Sequence, residues 1–176
     1  MGGQKMNLTK KNITEIDFNP FIKIGKEWML ISACDEKRED KKIGTMTASW
    51  GGVGVLWGKN VFFCFVRPQR FTKEFIDAQD TVTLSFFDEK YRDALTKCGR
   101  TSGRDCDKIK DAGLYAKAVD GAVFFEEAKL TIVGKKLFAQ YLDEECFVDK
   151  SLIDINYPSK DYHMVYVCEI VDVFEK

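Results

Sequence analysis

The 176-residue sequence has little of several residues that mark particular protein classes. It holds three prolines and no segment of simple composition, which argues against intrinsic disorder. It has one histidine, His163, and none of its six cysteines (34, 64, 98, 106, 146 and 168) stands in a Cys-x-x-Cys pair, so no metal site is expected. Those cysteines read as free thiols: a chain of this length buries roughly 70% of its unfolded surface and needs no disulfide staple. Neither sign of charge dominates. The 27 Lys+Arg against 28 Asp+Glu leave a net charge of −1, which argues against nucleic acid held on a basic face. No run approaches the ~20 apolar residues of a transmembrane helix. The first twenty residues carry no apolar core suited to a signal peptide, and Met6 stands where a myristoylation signal needs Ser or Thr. The expectation is a soluble, cytoplasmic chain, 1–176, forming one domain without membrane or nucleic-acid partners.

What is present is mostly strand signal. Trp28–Cys34 is an apolar run of strand length. Thr45–Trp50, Thr81–Phe87, Lys129–Val133 and His163–Ile170 alternate polar with apolar residues, as half-buried strands do. Val61–Val66 is continuously apolar and reads as a strand buried on both faces. The eight charged residues Asp35–Lys42 read as a solvated connection. Helices are expected to be short: one capped by Thr72 and running to Ala78, one capped by Asp88 and ended by Cys98-Gly99, and one over Asp107–Ala112 stopped by Gly113. Many irregularly spaced strands with few helices predict a mainly β fold, an antiparallel sheet closed on itself.

Gly51-Gly52-Val53-Gly54 does not continue as GxGxxG, because Trp57 occupies the third glycine's place. It reads as a bent or bulged strand end where backbones approach closely. Arg67-Pro68-Gln69-Arg70-Phe71-Thr72 is a proline turn flanked by two arginines and followed by a helix start. Composition alone fits a solvated turn. The coincidence with a helix start, whose free N–H groups and dipole favour an anion, narrows the gap to a phosphate site without closing it. Cys98–Asp105, with two glycines, two hydroxyls and two arginines, fits either an exposed loop or a wrap around a phosphate-bearing ligand. His163 opens an apolar strand and reads as a structural residue unless it faces a pocket. No Ser-His-Asp order or paired-carboxylate motif stands out, and no catalytic residue is assigned.

Taken in order, Met46–Gly52, Phe65–Thr72, Ser85–Phe87, Cys98-Gly99, Ser102–Asp105 and His163–Ile170 resemble the flavin reductase-like family of FMN-binding split barrels, in particular its flavoredoxin-type members, over about residues 27–173. Many relatives carry Asn just before the Met-Thr pair, where this chain has Thr45. The resemblance implies an antiparallel Greek-key split β-barrel with a few short peripheral helices, a homodimer, and FMN at or near the dimer interface. It implies that Met46, Thr47, Ala48, Ser49 and Trp50 meet the flavin ring. The backbone edge and the Thr47 and Ser49 hydroxyls would offer hydrogen bonds, Ala48 would leave room, and Trp50 would wall the pocket. Arg67, Arg70 and Thr72 would hold the ribityl phosphate, Ser102 and Arg104 would close over the site, and His163 would lie near the flavin. The activity implied is hydride transfer from NADH or NADPH to flavin, then electrons to a small-molecule or protein acceptor. A non-catalytic flavin electron carrier, or a related barrel for haem or another flat ligand, is the alternative.

Overall fold

A computed structural model describes residues 8–176; residues 1–7, which include Met6 of the lipidation reading, lie outside the described residues. In chain order the elements are β1 (Thr9–Lys11), α1 (Pro20–Lys23), β2 (Met29–Cys34), β3 (Ile43–Ala48), β4 (Gly51–Leu56), β5 (Lys59–Val66), α2 (Phe71–Ala78), β6 (Thr81–Phe86), α3 (Arg92–Arg100), α4 (Lys108–Asp111), β7 (Ala116–Val119), β8 (Ala122–Phe125), β9 (Leu130–Tyr141), α5 (Ser151–Asn156) and β10 (Met164–Glu175). One antiparallel sheet runs β3-β2-β6-β9-β10-β5-β4, with β1 added along β10; β7 and β8 form a separate hairpin.

The two ends of that path decide the shape. β3 and β4 are the outermost strands, yet only Ser49 and Trp50 separate them in the chain. The sheet must therefore curl until its edges nearly meet, and a side chain at Gly51 would press on the Phe63 carbonyl at 2.8 Å and on Met29 at 3.0 Å. The close backbone approach expected of the glycine stretch is thus real at Gly51, but the stretch is not a bulged strand end: it opens the regular strand β4, paired with β5 in unbroken register. Register shifts at Val167/Cys168 and Ile170/Asp172 bend the two long strands β9 and β10 around the core. Met29, Ile31, Phe62, Leu84, Ile132 and Tyr166 fill the barrel, all sealed from solvent. A second apolar cluster lies among Leu30, Leu95, Cys98, Val123 and Phe125, beneath α3 and the β7–β8 hairpin.

Gly134 in β9 is a tight point: a Cβ there would collide with the Phe62 ring and sit 2.9 Å from the Cys168 Cβ. Gly134→Ala is expected to destabilise the protein by about 1–3 kcal/mol through overpacking, read as a lowered denaturation midpoint at unchanged m-value. The β4–β5 and β7–β8 turns use Trp57 (φ 53) with Gly58 (φ 70) and Asp120 (φ 50) with Gly121 (φ 81). Left-handed pairs of this kind match the twist of two-residue hairpins.

The mainly β, antiparallel split-barrel architecture is as expected, and its local boundaries differ in instructive ways. The Val61–Val66 run is not buried on both faces: Phe63 and Phe65 are partly exposed while Phe62, Cys64 and Val66 point inward. The barrel covers one face of β5 only. α2 begins at Phe71, with Arg70 as its extended N-cap and no side-chain cap bond, so Thr72 does not cap it. The Pro68-Gln69 turn, closed by Arg70 N–H to the Arg67 carbonyl at 3.1 Å, already starts the helix, which places the cap two residues before Thr72. Helix α3 passes straight through Cys98-Gly99 to Arg100, after a single 3-10 turn over Glu89–Tyr91. Gly99 serves packing there: a Cβ would lie 3.2 Å from Thr47 Cβ, so glycine lets α3 lie close against β3. Asp107 does cap α4, accepting from Lys110 N–H, and Gly113 (φ 70) follows it. Arg38, within the charged connection, is not merely solvated. It bonds Asp40 and Glu74 and lies over the Phe71 and Phe75 rings. All six cysteines are free thiols.

Candidate functional site

The corner that joins the barrel's two edges forms a recess of about 210 Å³, lined by Met46, Thr47, Ala48, Ser49, Trp50, Phe65, Arg67, Arg70 and His163. Three parts of the chain meet there for separate reasons. β3 ends at Ala48 and turns through Ser49-Trp50, because β4 must start on the opposite sheet edge. β5 carries Phe65 on its uncovered face and runs on into Arg67 and the proline turn. His163 immediately precedes β10, whose Met164 pairs with Val66.

Thr47 donates its hydroxyl proton to the Leu95 carbonyl of α3, so toward a ligand it is an acceptor only. Ser49 is not held in this way. Ala48 leaves the floor open. Trp50 is 46% exposed, with its ring centroid 5.1 Å from that of His163. Thr45, at the position where relatives carry Asn, is buried against Ser32 at 2.7 Å and does not line the recess.

The two arginines differ in a way that the turn sequence does not reveal. Arg67 donates to Asp161 at 2.5 Å and to the Asn156 carbonyl at 2.7 Å, and stacks on Tyr157 at 5.1 Å. Its charge is balanced, and the Gln69 and Arg67 hydrogen bonds hold the Asp161 carboxyl below its usual range. Arg70 donates to the Gly99 carbonyl at 2.8 Å, in the last turn of α3, and has no carboxylate in ion-pair range among the described residues. A helix C-terminus favours such a cation. Burial, and then the charge of Arg67, lower the Arg70 pKa. Arg70 is therefore a partly buried, uncompensated cation at the N-terminus of α2, where an anion is favoured.

His163 is 7% exposed and receives Tyr157, whose hydroxyl lies 2.9 Å from Nδ1. Burial first, and the Arg67 charge second, push its pKa down to about 4. It is neutral across the physiological range.

Three expected residues stand outside the recess. Thr72 is buried within α2. Arg104 pairs with Glu74 at 2.5 Å, donates to the Gln69 carbonyl at 3.1 Å and covers Phe71, so it braces the turn from outside with its charge already balanced. Ser102 accepts from the Arg104 backbone N–H at 3.2 Å, closing a local turn. Phe65 is the lining residue that sequence reasoning missed. Alternation along β5 puts it on the same face as Phe63, a signal hidden by the continuous apolar run.

A larger cavity of about 600 Å³ borders β3 and α4, with Lys41, Gly103, Lys108 and Tyr115 in its wall. Its two most enclosed ammonium groups are already in use. Lys108 holds the Cys98 and Thr101 carbonyls at 2.9 and 3.2 Å, and Lys41 holds those of Gly103 and Cys106. Burial lowers the Lys108 pKa to about 8. These contacts fix the 98–106 segment; the smaller recess is where unused polar groups converge.

No protein-family model matches the sequence, and no curated protein matches it. Solved structures do. An FMN-binding domain of a flavin reductases-like enzyme from Shewanella baltica superposes with a TM-score of 0.65 over 96% of this chain and 77% of its own, at 11% identity. The chain has the split-barrel fold. Flavoredoxin from Methanosarcina acetivorans gives a TM-score of 0.65 over 92% of this chain and 75% of its own, at 15% identity. Flavoredoxin of Desulfovibrio vulgaris gives 0.63 over 85% and 69%, at 18% identity. No helix of this split barrel, among the described residues, is long and apolar enough to cross a membrane.

Proposed function

We propose that this protein binds FMN in the recess between Met46–Trp50, Arg70 and His163. In this reading it is an oxidoreductase that passes electrons from NADH or NADPH through the flavin to a small-molecule or protein acceptor. The observation that carries the reading is Arg70: an uncompensated, partly buried cation at a helix start, next to a recess with an aromatic wall. A ligand with a flat ring at one end and a phosphate at the other suits that pair of features. The FMN-binding split-barrel structures that share the fold support the same reading.

The flavin would supply the hydride and electron chemistry. The residues of the chain bind, orient and exclude water. Ala48 admits the ring, Trp50 and Phe65 wall it, and Arg70 with the first N–H groups of α2 holds the phosphate. Arg67 braces the turn from behind through Asp161. A hydride step of this kind requires no protein acid or base, which fits a site whose one histidine is neutral.

The recess is smaller than the roughly 300–1,000 Å³ that usually encloses a ligand, so one chain would seat only part of the nucleotide. Trp50, Trp57, Leu137, Phe138 and Tyr141 are exposed apolar side chains, and Trp57 and Phe138 meet edge-on at 6.5 Å. A second copy covering this surface would complete the pocket. Light scattering is expected to give twice the 20.2 kDa chain mass. A monomer that still binds FMN fully would contradict the dimer.

Anaerobic mixing of the FMN-loaded protein with NADH or NADPH tests the activity. Bleaching of the flavin's visible absorbance is the expected result. Bleaching by dithionite, but by neither nucleotide, would replace the enzyme with an electron carrier.

A further inference from the structure

The Tyr157–His163 pair sets which ring nitrogen of the histidine carries the proton. Tyr157 is buried, and His163 Nδ1 is the hydrogen-bond partner of its hydroxyl. A buried hydroxyl whose proton finds no acceptor is costly, so the phenol donates and Nδ1 accepts. A neutral imidazole has one N–H, which then sits on Nε2. Nε2 makes no hydrogen bond to the protein among the described residues, and it is absent from the fully enclosed unpaired polar atoms, which are Ser85 Oγ, Thr131 Oγ1 and the Tyr162 hydroxyl. His163 lines the recess, so Nε2–H is the group it has to offer a ligand.

We propose that Tyr157 is a positioning residue that holds His163 as its Nε2–H tautomer, making it a neutral hydrogen-bond donor to an acceptor atom of the flat ring bound in the recess. The proposal rests on the flavin reading for the identity of that ring, but not for the tautomer.

The surroundings enforce the arrangement. Arg67 stacks on the Tyr157 ring while tethered to Asp161 and to the Asn156 carbonyl, so the phenol is fixed from behind and from the end of α5. The charged groups acting on the imidazole are Arg67 and Arg70 from the β5–α2 turn and Asp161 from the β9–β10 connection. Two cations against one carboxylate oppose a charged imidazolium. His163 is thus an oriented neutral donor near neutral pH and not a source of protons. Such a donor favours the ligand state that carries more negative charge at the bonded atom.

His163 is the only histidine, so histidine-selective ¹⁵N labelling gives one imidazole to observe. In flavin-free wild-type protein the ring nitrogens should report the Nε2–H tautomer, with no titration from neutral pH down to about 5. In Tyr157→Phe, with its fold checked by circular dichroism, the two tautomers should mix. Adding FMN should move the Nε2–H resonance of the wild type. An Nδ1–H tautomer in the wild type would overturn the proposal whether or not the variant folds. So would a pure Nε2–H tautomer retained in Tyr157→Phe. If the tautomers behave as stated but FMN leaves the imidazole signals unmoved, the positioning role stands and the assignment of the ring is wrong.

Discussion

Arg70→Ala is expected to weaken FMN binding roughly tenfold to a hundredfold while changing riboflavin binding little. The two ligands share ring and ribityl chain and differ in the phosphate. A charge-assisted bond to that phosphate is worth about 1.5–3 kcal/mol, and riboflavin never makes it. Arg67 provides the contrast. Its guanidinium is already bonded to Asp161 and the Asn156 carbonyl, and it supports Tyr157. Arg67→Ala should therefore disturb the wall of the recess and weaken both ligands by similar factors. Added salt should weaken FMN more than riboflavin in the wild type, and this difference should shrink in Arg70→Ala. Equal losses of both ligands in the Arg70 variant would remove the phosphate from that position.

The second large effect is on stability against pH. His163 in the folded protein has a pKa pushed down to about 4 by burial, with the Arg67 charge adding to it, against an ordinary value near 6.5. The unfolded chain therefore takes up a proton as pH falls below about 6.5, while the folded chain resists until about 4. Folding stability from this residue is fully present above about pH 6.5 and is lost as pH falls toward 4. The loss should reach about 2 kcal/mol by pH 5 and about 3 kcal/mol near pH 4. Urea denaturation of the wild type and of His163→Asn at matched pH isolates the contribution, because the carboxylates common to both cancel in the difference. The stability of the wild type relative to the variant should fall by that amount between neutral pH and pH 5. A constant difference would mean that His163 titrates normally in the fold.

The local elements of this site were legible: Met46–Trp50 reads as a strand from its alternation, and Arg67–Arg70 as a proline turn at a strand end. That these segments and His163 gather at one ligand is what the family resemblance implies, and together they supply eight of the nine recess residues. Thr72 was misplaced because its helix could be foreseen but not the residue at which the turn hands over to it. Ser102 and Arg104 lie close to the site in the fold. The charge of Arg104 is nevertheless spent on Glu74, a partner 30 residues away that no local pattern reveals. The same holds for the difference between the two arginines. Asp161 and Tyr157 arrive through the long β9–β10 connection, and only the folded chain shows that they neutralise one arginine and tether the histidine. A closed antiparallel sheet was legible from strand spacing, but β1, β4, β7 and β8 were not. β1, β7 and β8 are four residues or fewer, too short for periodicity to register, and in β4 Gly51, Gly52 and Gly54 leave no alternation of side chains to read.

The central claim is that the recess at the β3–β4 corner is the flavin site, and Trp50 offers a direct reporter of it. FMN titrated into flavin-free protein while tryptophan emission is followed should quench the fluorescence, saturating at one FMN per chain. That quenching should be reduced in Trp50→Phe, where Trp28 and Trp57 remain. Saturable FMN binding with undiminished quenching in Trp50→Phe would place the flavin elsewhere, and the absence of saturable binding would contradict the account altogether.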